Sequence, residues 1–209
     1  MVWRGAVPYR EALAAQRRHR EAMVDEGAGE EVWAMEHPAV LTTGRRDVQG
    51  LPPEAWLREQ GVERVHSERG GLATYHGPGQ LVLYFLLDLK SRGLGVKDFI
   101  GALEHGVITW LASIGVRATT DPRGRGVWVQ GEKICAVGIH VRKGVTMHGL
   151  ALNLKMDLHP FSWFSPCGIA AKTTDVQAHV DAVGGPEEVW EEVCVRVLEK
   201  LIDRPMPVG

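Results

Sequence analysis

Apolar residues recur at three- and four-residue steps along two stretches of the chain. Between Val96 and Ile114, Phe99, Ile100, Leu103, Val107, Trp110, Leu111 and Ile114 fall on one face, which predicts an amphipathic helix. Val189, Trp190, Val193, Val197 and Leu201 predict a second, opened by Pro186 and closed by Pro205. Pro8 to about Glu26 reads as a third, with Tyr9, Ala12, Leu13, Met23 and Val24 set among charges. Elsewhere the apolar positions run or alternate. Glu31 to Leu41 predicts two short strands broken at Pro38, with Thr42-Thr43-Gly44 as the turn that ends them. Val62 to Ser67 alternates, and Gln80 to Leu89 is an almost unbroken apolar run that predicts a buried central strand. Val127 to Val129, Ile134 to Val141 and Val145 to Leu154, joined at Gln130-Gly131 and Lys143-Gly144, predict an antiparallel meander. Strands in runs, with helices at the start, middle and end, define an α+β fold with a mixed or antiparallel sheet covered by helices.

Length and composition narrow this picture. The 209 residues, 44% hydrophobic, suffice for one sizeable core, and no linker divides them, so residues 1–209 are read as a single domain. The N-terminal stretch lacks a signal-peptide core and no apolar run approaches the roughly 18 residues of a spanning helix. The expectation is a cytoplasmic protein with no membrane partner. Three cysteines without CxxC spacing argue against a disulfide framework and a zinc knuckle. A net charge of -2 gives no reason to expect nucleic acid, and Arg17, Arg18 and Arg20 around His19 read as a solvated helix face.

Three places carry candidate chemistry. In Arg69-Gly70-Gly71-Leu72-Ala73-Thr74-Tyr75-His76-Gly77-Pro78-Gly79-Gln80, glycines permit a ligand to touch the main chain, with Arg69 and His76 as possible donors; the same residues also describe two tight turns around a strand. The stretch fits neither phosphate-loop pattern. Cys167, between Pro166 and Gly168, stands where a thiol can be exposed and its pKa lowered, whereas Cys135 and Cys194 lie within apolar strand and helix patterns. Lys133 precedes the apolar run Ile134 to Val137. It is either a turn lysine in solvent or, facing inward, a base or a cation beside a thiolate.

Taken together, Arg69-Gly70-Gly71 with Thr74 to Gln80, Gly126 to Val129 with Lys133 to Gly138, His148 to Asn153, and Pro166 to Ile169 closely resemble the octanoyltransferases of lipoate biosynthesis, in order and separation. Two positions depart from the family: Leu72, where glutamine is common, and Phe164-Ser165, where an aliphatic pair is usual. The resemblance implies a fold similar to the biotin and lipoate protein ligases, with no ATP, no metal and no other cofactor. It implies that Cys167 accepts an octanoyl group from acyl carrier protein as a thioester. The acyl group then passes to a lysine of a lipoyl domain, in a 2-oxoacid dehydrogenase complex or the glycine cleavage H protein. Lys133 would serve as cation or base. Arg69 to His76, Ala136, Val137 and Gly138, and His148, Gly149, Leu150 and Ala151 would line the acyl slot, with backbone N–H groups near Cys167 and Gly168, helped by His76 or His148, facing the oxyanion. Two rivals are an ATP-dependent lipoate or biotin ligase, which needs no thiol, and a non-catalytic binding module in which Cys167 is inert.

Overall fold

The computed structural model describes residues 1–164 and 172–202. Its elements run β1 (Val2–Ala6), α1 (Tyr9–Asp25), β2 (Glu31–Glu36), β3 (Val40–Thr43), α2 (Glu54–Glu59), β4 (Glu63–His66), β5 (Ala73–His76), β6 (Gln80–Leu86), α3 (Val96–Ser113), β7 (Thr119–Asp121), β8 (Gly124–Val129), β9 (Glu132–Arg142), β10 (Val145–Asn153) and α4 (Pro186–Ile202). Seven strands form one sheet in the order β1-β2-β6-β10-β9-β8-β7, and three form a smaller one in the order β4-β3-β5. Every pairing in the large sheet is antiparallel except β1 with β2, which α1 connects as a crossover.

The strand β6 organises both sides of the large sheet. All seven of its residues are buried. Leu81, Leu83 and Phe85 join α3 and α4 in one core, while Val82, Tyr84 and Leu86 join Tyr9, Ala12 and Leu13 of α1 in the other. The alternation also sends Gln80, Val82 and Tyr84 to the same face. On the first face, helices α3 and α4 touch at Gly106, where a Cβ would meet the Val197 backbone at 2.5 Å, so glycine is what allows this approach. A third cluster, containing Leu41, Leu57, Val62, Ala73, Tyr75 and Phe164, seats the small sheet.

The meander follows the turn chemistry of its sequence. Gln130 and Gly131 have φ of 51° and 84°, and Lys143 and Gly144 have 52° and 88°, the left-handed pair that a two-residue hairpin turn needs. Thr42 and Thr43 belong to β3 and do not begin the turn; the chain leaves the strand at Gly44, where a Cβ would lie 2.6 Å from the Gly71 carbonyl oxygen. The basic cluster on α1 is split. Arg18 is exposed, Arg17 pairs with Glu68 at 2.7 Å, and Arg20 is buried. Among the described residues, no helix is long and apolar enough to cross a membrane.

Candidate active site

A cavity of about 360 Å³ opens between the large sheet and the chain from Arg69 to Thr74. Gln80, Val82 and Tyr84 reach it from β6, and Gly149 to Ala151 and Asn153 from β10. The strand pairing explains the space. Ala136, Val137 and Gly138 stand directly opposite Ala151, Leu150 and Gly149, so two runs of small residues lie side by side. A Cβ on Gly149 would overlap the Leu83 carbonyl oxygen, and one on Gly138 would come within 3.1 Å of the Gly70 oxygen. The facing loop is stapled to β9 by Gly70 N–H donating to the Ile139 carbonyl at 2.9 Å.

Nearly all candidate slot residues are therefore brought together. Arg69, Gly70, Gly71, Leu72, Ala73, Thr74 and His76 line the cavity with Lys133, Ala136 to Gly138 and His148 to Ala151. Tyr75 does not. Alternation along β5 turns it to the opposite side, into the third cluster, where its ring meets Phe161 at 5.7 Å and Trp163 at 6.5 Å. Cys167, with Pro166, Gly168 and Ile169, lies outside the described residues, as does Pro205.

Lys133 is the second residue of β9, with its ammonium 4.7 Å from the centre of the Trp128 ring, a cation–π distance. Its backbone is held on both sides: its N–H donates to the Lys172 carbonyl at 2.9 Å, and its carbonyl accepts from Thr174 N–H at 3.0 Å. Phe161 and Thr173, described residues on either side of the segment that carries Cys167, also line the cavity. The other two thiols are unsuited to nucleophilic work. Burial pushes Cys135 up to about 12 and Cys194 up to about 11, and both are wholly enclosed.

The polar residues beneath the cavity were not legible as a set in the sequence. Arg69, buried, donates to the Thr42 carbonyl at 2.7 Å and to the Thr42 hydroxyl at 2.9 Å. His76 Nδ1 lies 2.7 Å from Gln80 Oε1 and Nε2 lies 3.3 Å from the Thr42 hydroxyl, which leaves it no N–H to offer a ligand. His37 donates from Nδ1 to the Val7 carbonyl at 2.6 Å and accepts from the Tyr84 hydroxyl at 2.7 Å. His148 sits at φ 62°, an uncommon conformation for a side chain of its size, its backbone N–H donating to Gln16 Oε1 at 2.8 Å. Arg46, Arg123 and Arg125 add charge to the cavity, and among the described residues no aspartate or glutamate lines it. The field there is positive in a chain whose net charge is -2, so the site favours electron-rich groups.

Burial sets the charge state of these histidines. It holds His37 down to about 4 and His148 down to about 3, each from an ordinary 6.5. Unfolding lets each take up a proton near 6.5, so the stability that the neutral rings contribute is complete above that pH and drains away as pH falls toward 4. For His37 the loss across this window is about 3 kcal/mol. Urea unfolding at pH 7.5 and pH 5 should show the midpoint falling with acid, and His37→Gln, which keeps one donor and one acceptor without titrating, should flatten the slope. An unchanged slope in that variant would contradict the assignment.

A mixed sheet with a small second sheet across it, and a positively lined cavity between them, define a class. Residues 8–201 match the lipoyl protein ligase A/B catalytic domain, and the chain belongs to that family. Within the family it groups with the octanoyltransferases: it is 40% identical to the octanoyltransferase of Pseudomonas paraeruginosa over 200 residues, 96% of this chain and 88% of that one. The fold is shared with more distant proteins. A bi-partite lipoate protein ligase of Thermoplasma acidophilum superposes with a TM-score of 0.72 at 17% identity, covering 97% of this chain and 84% of the other. The biotin protein ligase of Aquifex aeolicus does so with 0.58 at 14% identity, covering 96% and 69%.

Proposed function

We propose that the protein transfers an octanoyl group from the thioester of acyl carrier protein to a lysine of a lipoyl domain, by way of a thioester on Cys167. The observation that carries this reading is the cavity with Lys133, Phe161 and Thr173 in its wall and, among the described residues, no carboxylate, in a chain whose other two thiols are buried. In the first step the Cys167 thiolate attacks the acyl carbonyl, and the tetrahedral intermediate collapses by expelling the carrier's thiolate, which takes the proton of the Lys133 ammonium and leaves that lysine neutral. In the second the acceptor lysine attacks the Cys167 thioester, the C–S bond breaks, and Lys133 receives the proton that the amine loses. Exchange between thioesters is nearly isoenergetic and the amide product is more stable, so the sequence of steps runs downhill without nucleotide or metal. Apolar walls at Val82, Val137 and Leu150 would hold the acyl chain. A cytoplasmic setting, where thiols stay reduced, belongs to the same proposal.

The carrier's docking surface is testable. Acyl carrier proteins are acidic, so a basic rim should guide them. Arg46 is exposed and lines the cavity, which fits Arg45-Arg46 for this role. Arg142-Lys143 fits poorly: it ends β9, nine strand residues or roughly 30 Å from Lys133, and Lys143 lies 3.8 Å from Asp25. Reversing Arg45 and Arg46 to glutamate should slow acylation by octanoyl carrier protein at low salt and leave acylation by a small octanoyl thioester almost unchanged, because such charges act on association and are screened beyond about 8 Å at physiological salt. Equal losses with both donors would exclude this rim.

A further inference from the structure

The polar groups beneath the cavity form one continuous series, and its direction is forced. Arg69 can only donate, and it gives Nη2–H to the Thr42 hydroxyl at 2.9 Å. That hydroxyl can accept again or donate, so the direction is set from the Thr174 carbonyl back: the Gln80 amide turns Oε1 to His76 Nδ1, which donates to it at 2.7 Å, and the neutral ring's Nε2 accepts from the Thr42 hydroxyl at 3.3 Å. Gln80 Nε2 donates to Asn153 Oδ1 at 2.8 Å, and Asn153 Nδ2 donates to the Thr174 carbonyl at 2.9 Å. A donor-only group at one end and an acceptor-only group at the other leave each histidine tautomer and amide orientation a single choice. Burial holds the His76 ring well below 6.5 and so neutral, which leaves Nε2 as an acceptor in the series.

Its far end has a particular location. Thr174 is the residue whose N–H donates to the Lys133 carbonyl at 3.0 Å, and Lys172, two positions earlier, accepts from Lys133 N–H at 2.9 Å. Residues 172–174 thus form a short parallel partner to Lys133. On their other side they are fastened by Asn153, with help from Gln177 N–H on the Leu154 carbonyl at 2.9 Å. Asn153 is the only asparagine in the 209 residues and is buried.

We propose that Asn153 is a positioning residue for the transfer reaction: it clamps residues 172–174 against Lys133 and so fixes the lysine relative to the chain that leads to the nucleophile. The series from Arg69 to Gln80 pre-orients the Asn153 amide. This inference rests on the function proposed above, in which Lys133 acts on Cys167. Asn153→Asp keeps the shape and the acceptor for Gln80 but replaces the donor facing Thr174 with an oxygen, which repels the carbonyl. A misplacement of about 1 Å at a reacting group costs about 10²-fold in rate.

The test measures transfer kinetics and the pH profile of Cys167 alkylation in wild type, Asn153→Asp, Asn153→Ala and Lys133→Ala, with Leu152→Ala as a control. Leu152 is buried on the opposite face of β10, so its truncation disturbs packing without touching the clamp. The expected result is that Asn153→Asp loses about 10²-fold in kcat with little change in KM for the octanoyl donor. Its alkylation profile should move toward that of Lys133→Ala, Asn153→Ala should move in the same direction, and Leu152→Ala should keep the wild-type profile. If Lys133→Ala shifts the profile and neither Asn153 variant does, the clamp is refuted and the proposed chemistry stands. If Lys133→Ala itself leaves the profile unchanged, the coupling of Lys133 to Cys167 fails and the clamp fails with it. Equal shifts in Leu152→Ala and the Asn153 variants would reduce the effect to general loosening and also overturn the proposal.

Discussion

Cys167→Ser is expected to lose octanoyl transfer to an isolated lipoyl domain by at least about 10⁴-fold while keeping its melting temperature. A serine hydroxyl stays protonated at neutral pH and is a far weaker nucleophile than a thiolate. Cys135→Ser and Cys194→Ser should retain most activity, because both thiols are enclosed and held at about 12 and about 11, far from a reactive thiolate. Measured turnover with each variant separates the three. Robust transfer by Cys167→Ser, or loss confined to Cys135→Ser, would remove the acyl-enzyme from the mechanism.

Lys133→Arg should lose about 10²- to 10⁴-fold in transfer although the charge is retained. The guanidinium can still lie over Trp128, but it does not give up a proton at neutral pH and its planar fork occupies a different volume. If the charge acts only to favour the thiolate, the arginine variant should show a near-normal pH profile for Cys167 alkylation together with slow aminolysis. That split between thiol activation and proton transfer is the expected pattern. Full activity in Lys133→Arg would leave charge as the only contribution of this residue.

Much of this architecture is visible in the pattern of the chain because helix and strand periods are strong where one face is buried. Helices α1, α3 and α4, the run of β6 and the meander of β8 to β10 all lie where the apolar spacing places them. Strand β1 carries no such pattern: it is an edge strand with Gly5 inside it, three of its five residues exposed and none buried, so no apolar alternation marks it. Helix α2 spans six residues, less than two turns, and offers no periodicity to read. The site shows the same division. Motif spacing brings out Lys133 and the two runs of small residues, since chemistry and tight backbone approach leave marks in sequence. The alternation of β5 could have excluded Tyr75 from the cavity, because its neighbours Thr74 and His76 point the other way. The series from Arg69 through Thr42, His76 and Gln80 to Asn153 depends on pairing between strands distant in sequence, and Gln80 opens a run that is otherwise almost wholly apolar. A polar residue opening such a run, together with a solitary asparagine closing its neighbour strand, is the only trace the network leaves.

Mass spectrometry of the intact protein after mixing with octanoyl carrier protein, in the absence of an acceptor, tests the central claim most directly. The expected result is a new species heavier than the free enzyme by one octanoyl group, absent in Cys167→Ser, present in Cys135→Ser and Cys194→Ser, and discharged when a lipoyl domain is added. Transfer to the lipoyl domain with no acyl-enzyme at any time, or an adduct that persists in Cys167→Ser, would contradict it.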